Sequence, residues 1–176
     1  LPRPLGLVRW LGHVLTPVSA GHVHELGPDT VQPSTGSGPG GRSSRRAYRT
    51  SSDTVLSLSR ADPVIVSIVH RAALFLGVPA DHAERFSITR YEHDEYYKSH
   101  MDHDGSIKAD RLYTVLLYLN TLAEGEGGGT VFERLSLHAR PVQGRALCWG
   151  TSHEDKAVRQ ETLNAAQRVL QSGAEK

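Results

Sequence analysis

Arg90-Tyr91-Glu92-His93-Asp94-Glu95-Tyr96-Tyr97-Lys98-Ser99-His100-Met101-Asp102 ends in a His-x-Asp pair. Residues two apart on a strand point to the same face, so this spacing sets an imidazole and a carboxylate side by side. Together they supply two corners of a facial triad of metal ligands. A third ligand, usually a His from elsewhere, would leave three positions open. Two open positions suit a chelating keto acid and the third suits dioxygen. Taken alone the pair is a weak signal. With ten His and nineteen acidic residues, such spacings are expected by chance, and His22-x-His24 and His93-x-Glu95 offer others. A solvated polar strand would explain it at least as well.

The surroundings add information. From Phe86 onward, short β-rich runs are expected at 86–91, 112–119, 130–132 and 145–149, separated by glycines or charged clusters. Upstream, Thr16-Pro17 reads as a helix start with Gly27 as its stop. Asp62-Pro63 caps a second helix whose stripe Ile65, Ile68, Val69, Ala72 and Leu76 ends at Gly77. A helical first half before a strand-rich second half predicts one α+β domain over residues 1–176, a β-sandwich or jelly roll packed on N-terminal helices. Residues 32–46, rich in Gly, Ser and Pro with Arg42, Arg45 and Arg46, are expected to form a mobile loop with no apolar area to bury. The tail from Glu154 to about Leu170 is rich in Ala, Gln, Glu, Arg and Leu and reads as a helix by propensity.

Five ordered blocks resemble the prolyl 4-hydroxylase family of Fe(II)- and 2-oxoglutarate-dependent dioxygenases. The central segment resembles its signature of Arg-Tyr followed by a Tyr three residues before His-x-Asp: Arg90-Tyr91, Tyr97, His100 and Asp102. The family usually has Gly where this chain has Asp94. Arg111-Leu112-Tyr113-Thr114 through Tyr118-Leu119-Asn120 is similar to the family's Arg-x-x-Thr-x-x-x-Tyr-Leu-Asn strand. Gly127-Gly128-Gly129-Thr130-Val131-Phe132 looks like its Gly-Gly-x-Thr-x-Phe turn. Pro141 to Trp149 looks like its Pro-x-x-Gly-x-Ala-Leu-x-aromatic strand, and Tyr48-Arg49-Thr50-Ser51 resembles its Arg-Thr-Ser block.

The resemblance implies a double-stranded β-helix and the hydroxylation of a peptidyl proline. In that reaction 2-oxoglutarate is decarboxylated to succinate, with Fe(II), O2 and L-ascorbate as helpers. It implies His100 and Asp102 as iron ligands, Tyr91 and Thr130 as hydrogen-bond partners of 2-oxoglutarate, and Tyr97 and Arg111 as contacts to a proline-containing peptide or protein. The loop 32–46 would then close over that peptide. The family's third ligand is a His in a His-x-Gly-x-Pro-Val segment. Counting on from Trp149 puts Asn164 there, with Ala166 for the Gly and Arg168 for the Pro. Lys176 lies near the place of the basic residue that binds the co-substrate carboxylate. Three arrangements follow: Asn164 as a weak oxygen ligand, His153 swinging in, or an incomplete iron site. A helical tail would carry Asn164 away from His100 and Asp102. The alternatives to catalysis on proline are a catalytically impaired peptide-binding homologue and a dioxygenase acting on another side chain or a small molecule.

Composition narrows the classes. The net charge of +1 gives no reason to expect nucleic acid, and no run of 18 apolar residues suits a spanning helix. Cys148 is the only cysteine, so neither an intrachain disulfide nor a thiolate zinc site is available. Leu1-Pro2-Arg3-Pro4 reads as a trimmed start, which leaves cytoplasm and secretory lumen both open.

Overall fold

In the computed structural model, which describes residues 7–25, 32–34, 48–56, 62–103, 111–153, 155 and 157–170, ten strands and two helices follow one another along the chain. The order is β1 (Val8–His13), α1 (Pro17–Glu25), β2 (Gln32–Pro33), β3 (Ser52–Val55), α2 (Pro63–Leu76), β4 (Ser87–Arg90), β5 (Tyr97–His100), β6 (Tyr113–Leu117), β7 (Thr130–Phe132), β8 (Leu137–Ala139), β9 (Arg145–Gly150) and β10 (Asn164–Ala166). The described residues include no helix long and apolar enough to cross a membrane.

Helix α2 forms where its local signals place it. Asp62 Oδ1 accepts from the backbone N–H groups of Val64 and Ile65, and Pro63 fits the first turn. Gly77, at φ 69°, takes the left-handed conformation that ends the helix. Ile65 and Ile68 are buried and join Val14, Leu15, Ala20, Val23 and Ala146 in one core. Helix α1 starts at Pro17 as expected, while its expected stop, Gly27, lies outside the described residues. His22 Nε2 lies 2.9 Å from Asp62 Oδ2 and ties α1 to the cap of α2. That hydrogen bond and the one from the Ile65 N–H hold the Asp62 carboxyl below the ordinary carboxylate range.

The strands form three antiparallel sheets, ordered β1-β9-β6, β5-β10-β7-β8 and β2-β3-β4. Strand β9 is central to the first sheet and is apolar on both faces. Ala146 packs toward the helices, while Leu147 and Trp149 meet Phe132 of β7 and Ala139 of β8 in a second core. The second sheet therefore lies against one face of the first, and α1 and α2 cover the other. Residues 48–50 run along the free edge of β5, with Lys98 N–H donating to the Tyr48 carbonyl and Thr50 N–H to that of Tyr96.

Two expectations are corrected here. The first half is not only helical: β1 pairs with β9, β2 pairs with β3, and β3 pairs with β4. Gln32 and Pro33, the start of the expected loop, are part of that third sheet, and most of the remainder of 32–46 lies outside the described residues. The tail is not a helix. It makes a 3-10 turn at Gln160–Thr162 and then β10, whose Asn164 pairs with His100 of β5 and whose Ala165 and Ala166 pair with Val131 and Thr130 of β7. Propensity favours helix only by tenths of a kcal/mol per residue. Here β5 and β7 both present backbone groups that need partners, and those bonds outweigh it.

The glycine run before β7 makes that ladder possible. Gly127, at φ 73°, bridges to Val169, and a Cβ there would overlap the Arg168 carbonyl oxygen. Gly21, inside α1, has open space where a Cβ would go. Gly127→Ala is expected to cost about 1–3 kcal/mol, the usual price of a side chain forced into the left-handed region. Gly21→Ala is expected to gain about 0.5–1 kcal/mol, because alanine loses less backbone freedom in a helix. Urea denaturation of the two variants beside the parent checks both signs.

Candidate metal and co-substrate site

Strand β5 ends at His100, and Asp102 follows just beyond it, so both side chains reach the same side of the second sheet. Nδ1 of His100 lies 2.9 Å from the Lys98 carbonyl oxygen. A carbonyl can only accept, so Nδ1 carries a proton, and the neutral imidazole presents its lone pair at Nε2. That lone pair faces Asp102 Oδ1 at 3.2 Å. Two acceptors at this distance repel unless a proton or a cation sits between them. This is the condition that a divalent cation relieves, and it is the observation on which the site's fitness for iron rests.

The other oxygen of Asp102 is fully engaged. Oδ2 accepts from Thr114 Oγ1 of β6 at 2.8 Å and from Trp149 Nε1 of β9 at 2.9 Å. The first sheet thus holds the carboxylate plane and aims Oδ1 at His100 on the second. Burial pushes the Asp102 carboxyl up, but a proton on His100 Nε2, through its hydrogen bond and its charge, and the hydrogen bonds from Thr114 and Asn164 outweigh it, so in the metal-free protein the group ends below its ordinary value. It is ionised at neutral pH, as a ligand must be.

Asn164, buried and directly opposite His100 in the β5–β10 register, stands beside the pair. Its Nδ2 lies 3.5 Å from Asp102 Oδ1 and 3.3 Å from the Thr162 carbonyl oxygen. The pair and Asn164 are therefore brought together, where a helical tail would have parted them. His153 is turned elsewhere, with Nε2 3.8 Å from Glu161 Oε2. Among the described residues, no group of three or more His, Cys, Asp or Glu is placed to hold a metal. Lys176 lies outside the described residues.

Aromatic and hydroxyl groups line the same region. The Tyr97 ring stacks on His100 with centroids 3.6 Å apart and planes 13° from parallel. Tyr48 meets it edge-on at 5.7 Å, and the Arg49 guanidinium sits 4.6 Å from its centre. Tyr91 is buried, which raises its phenol pKa, with Arg49 and Ser51 beside the hydroxyl. Thr130 is buried at the start of β7 and accepts from the Tyr118 hydroxyl at 2.8 Å. Arg111 lies at the rim. Its Nε and Nη2 fork Glu84 at 2.6 and 2.9 Å, and Nη1 donates to the Asp102 carbonyl at 3.0 Å.

Four contributors had no assigned role in the sequence. Trp149 and Thr114 hold Asp102, and both stood inside quoted blocks as bare pattern matches. Tyr118, pushed up to about 12 by burial, stays a proton donor to Thr130. Arg49 is the charge shared by Tyr91 and Tyr97. Only a fold that brings β5, β6, β7 and β9 together exposes these roles. The pair His93-x-Glu95 takes no part: His93 lies 3.3 Å from Asp94 in an exposed turn.

Residues 86–172 match the 2OG-Fe(II) oxygenase superfamily. The chain is similar to prolyl 4-hydroxylase 2 of Arabidopsis thaliana, 33% identical over 124 residues, which is 67% of this chain and 40% of that protein. It is 36% identical over 98 residues to prolyl 4-hydroxylase 1 of the same plant, 52% of this chain and 34% of that protein. The chain spans less than half the length of these curated relatives. Its fold is similar to that of a viral collagen prolyl hydroxylase from Paramecium Bursaria Chlorella virus-1, solved as a 2OG complex, with a TM-score of 0.75 at 21% identity over 97% of this chain and 92% of that one. A Pseudomonas putida prolyl-4-hydroxylase aligns with a TM-score of 0.56 at 19% identity, over 96% and 88% of the two chains.

Because His100 and Asp102 face each other as two acceptors, His100→Ala and Asp102→Ala are each expected to lower affinity for Mn(II), a redox-stable divalent probe, by at least about tenfold. Isothermal titration under anaerobic conditions checks this. Variants that bind Mn(II) as the parent does would remove both residues from the site.

Proposed function

Since this chain belongs to the prolyl 4-hydroxylase family of 2OG-Fe(II) oxygenases, we propose that it hydroxylates a peptidyl proline with 2-oxoglutarate as co-substrate. The observation that carries this reading is the fixed pair of His100 Nε2 and Asp102 Oδ1, 3.2 Å apart and aimed at one point. The facing sheets that present the pair are read as a double-stranded β-helix, with α1 and α2 as supports.

His100 and Asp102 would hold Fe(II). When bound, iron supplies the activation of O2 that turns 2-oxoglutarate into succinate and CO2 and delivers one oxygen atom into a C–H bond. The protein's part is to bind, aim and exclude. Thr130 and Tyr91 would take the carboxylate oxygens of 2-oxoglutarate. Tyr118 donates to Thr130 Oγ1, which leaves the Thr130 hydroxyl proton for an anion. Lys176 is proposed for the far carboxylate. Tyr97, laid flat on His100 and overlaid by the Arg49 guanidinium, would meet the peptide through its ring edge and hydroxyl, and Arg111 would contact it beside Asp102. L-Ascorbate is the reductant expected to keep iron divalent between turnovers.

Turnover is tested by succinate released from 2-oxoglutarate on a panel of proline-rich peptides and free amino acids. Release that depends on a peptide and on its proline supports the proposal. Peptide binding without succinate would point to a binding homologue, and release on free amino acids to another substrate. The role given to Tyr118 predicts that Tyr118→Phe raises the KM for 2-oxoglutarate by about tenfold, the effect of one charged-group hydrogen bond, with kcat changed less. Steady-state kinetics on a peptide that supports turnover decides, and an unchanged KM would remove Tyr118 from co-substrate positioning.

A further inference from the structure

The polar groups around Asn164 fix which end of its amide faces the site. The two nearest groups are Asp102 Oδ1 and the Thr162 carbonyl oxygen, at 3.5 and 3.3 Å from Nδ2. Both can only accept. Turning the amide would place its oxygen against two acceptors and forfeit both contacts, so the nitrogen faces inward. An amide nitrogen has no lone pair to give a metal. Asn164 is also buried in a strand paired on both sides, with Ala165 and Ala166 held against Val131 and Thr130. Little backbone freedom is left to re-aim it.

We infer that Asn164 is a positioning residue and not a ligand: its amide nitrogen braces Asp102 against the Thr162 carbonyl, so that a divalent metal here is held by two protein side chains, His100 and Asp102. The corner that an imidazole from β10 would fill is left to water. The inference rests on the metal-centre reading above. It accounts for the absence, among the described residues, of a third His or carboxylate near the pair. It also replaces the expectation of Asn164 as an oxygen ligand. The brace is a supporting one, because Thr114 and Trp149 already hold the other carboxylate oxygen at 2.8 and 2.9 Å. Losing Asn164 should therefore disturb metal binding far less than losing a ligand. The Cα of Asn164 lies opposite that of His100 in the ladder, so an imidazole grown from it reaches the same point from the second strand.

The experiment uses Co(II) as the probe and needs no turnover. Parent, Asn164→His, Asn164→Ala and the near-isosteric Asn164→Leu are titrated by calorimetry, and the Co(II)-loaded proteins are examined by paramagnetic proton NMR. Each coordinated imidazole contributes one exchangeable, strongly shifted N–H signal. In His100 that proton is the Nδ1–H held by the Lys98 carbonyl. The parent is expected to show one such signal. Asn164→His is expected to show two and to bind Co(II) about tenfold or more tightly. Asn164→Ala and Asn164→Leu, whichever folds, should weaken Co(II) binding about threefold, the loss of one supporting hydrogen bond. Two signals in the parent would overturn the inference by revealing a second His ligand. A tenfold or greater loss in both truncated variants would overturn it by making Asn164 a ligand. A single signal with unchanged affinity in Asn164→His would overturn the placement of residue 164. Failure of the underlying reading looks different: a parent that does not bind Co(II), or a His100→Ala variant that binds it equally well, would dismiss the metal centre itself.

Discussion

Strand β10 has neighbours on both edges, and the rest of the site hangs on that pairing. Its three residues, Asn164–Ala166, bond to β5 on one side and β7 on the other. Without it, both strands would bury backbone N–H and C=O groups with no partner, each costing more than the helix preference of the tail could return. The same ladder sets the chemistry. Pairing Asn164 with His100 places a side chain from the end of the chain at the point where β5 delivers its imidazole. Pairing Ala166 with Thr130 fixes the hydroxyl beside Tyr118. One strand's register therefore positions groups that lie far apart in sequence.

Electrostatics in the site centre on Asp102, which receives support from both sheets. Thr114 and Trp149 come from the helix-backed sheet, while His100 and Asn164 come from the other. A buried carboxylate is tolerated only when its lone pairs are met. Here the demand is split: one oxygen is saturated by neutral donors, and the other is turned toward an imidazole lone pair. The division gives the carboxylate a direction. It also means that the packing of the two sheets against each other sets the distance between the donor atoms.

What could be read beforehand follows the range of the forces involved. Helix α2 was legible to the residue because its signals are local: an Asp-Pro cap, an apolar stripe and a terminal glycine. Strand β7 was legible because a glycine turn and a Thr-Val-Phe run announce it. The His100–Asp102 pair was visible as spacing. The tail was not, because nothing in Leu163-Asn164-Ala165-Ala166-Gln167 favours a strand. Its conformation is imposed by two edges that exist only after the sheet has formed. The roles of Trp149, Thr114 and Tyr118 were hidden for the same reason. Each acts across a contact between segments far apart in the chain, and no local pattern encodes which hydroxyl or indole will meet which carboxylate.

Two departures from the family pattern turn out to be one. Asp94, where a glycine is usual, sits at φ 66°, a conformation that an Asp tolerates better than most side chains. Arg168, where a proline is usual, donates from Nη1 to the Asp94 carbonyl at 2.7 Å and reaches its carboxylate at 3.3 Å, while the Asp94 N–H donates to the Val169 carbonyl. Neither residue is intelligible by itself. Arg168 gives the turn before β5 an anchor on the segment after β10, and Asp94 gives the guanidinium an anion to face. Mechanically the two positions form one clasp between distant segments. Exchanging Arg168 alone would release the turn before β5 from the segment after β10, and exchanging Asp94 alone would take from the guanidinium the anion it faces.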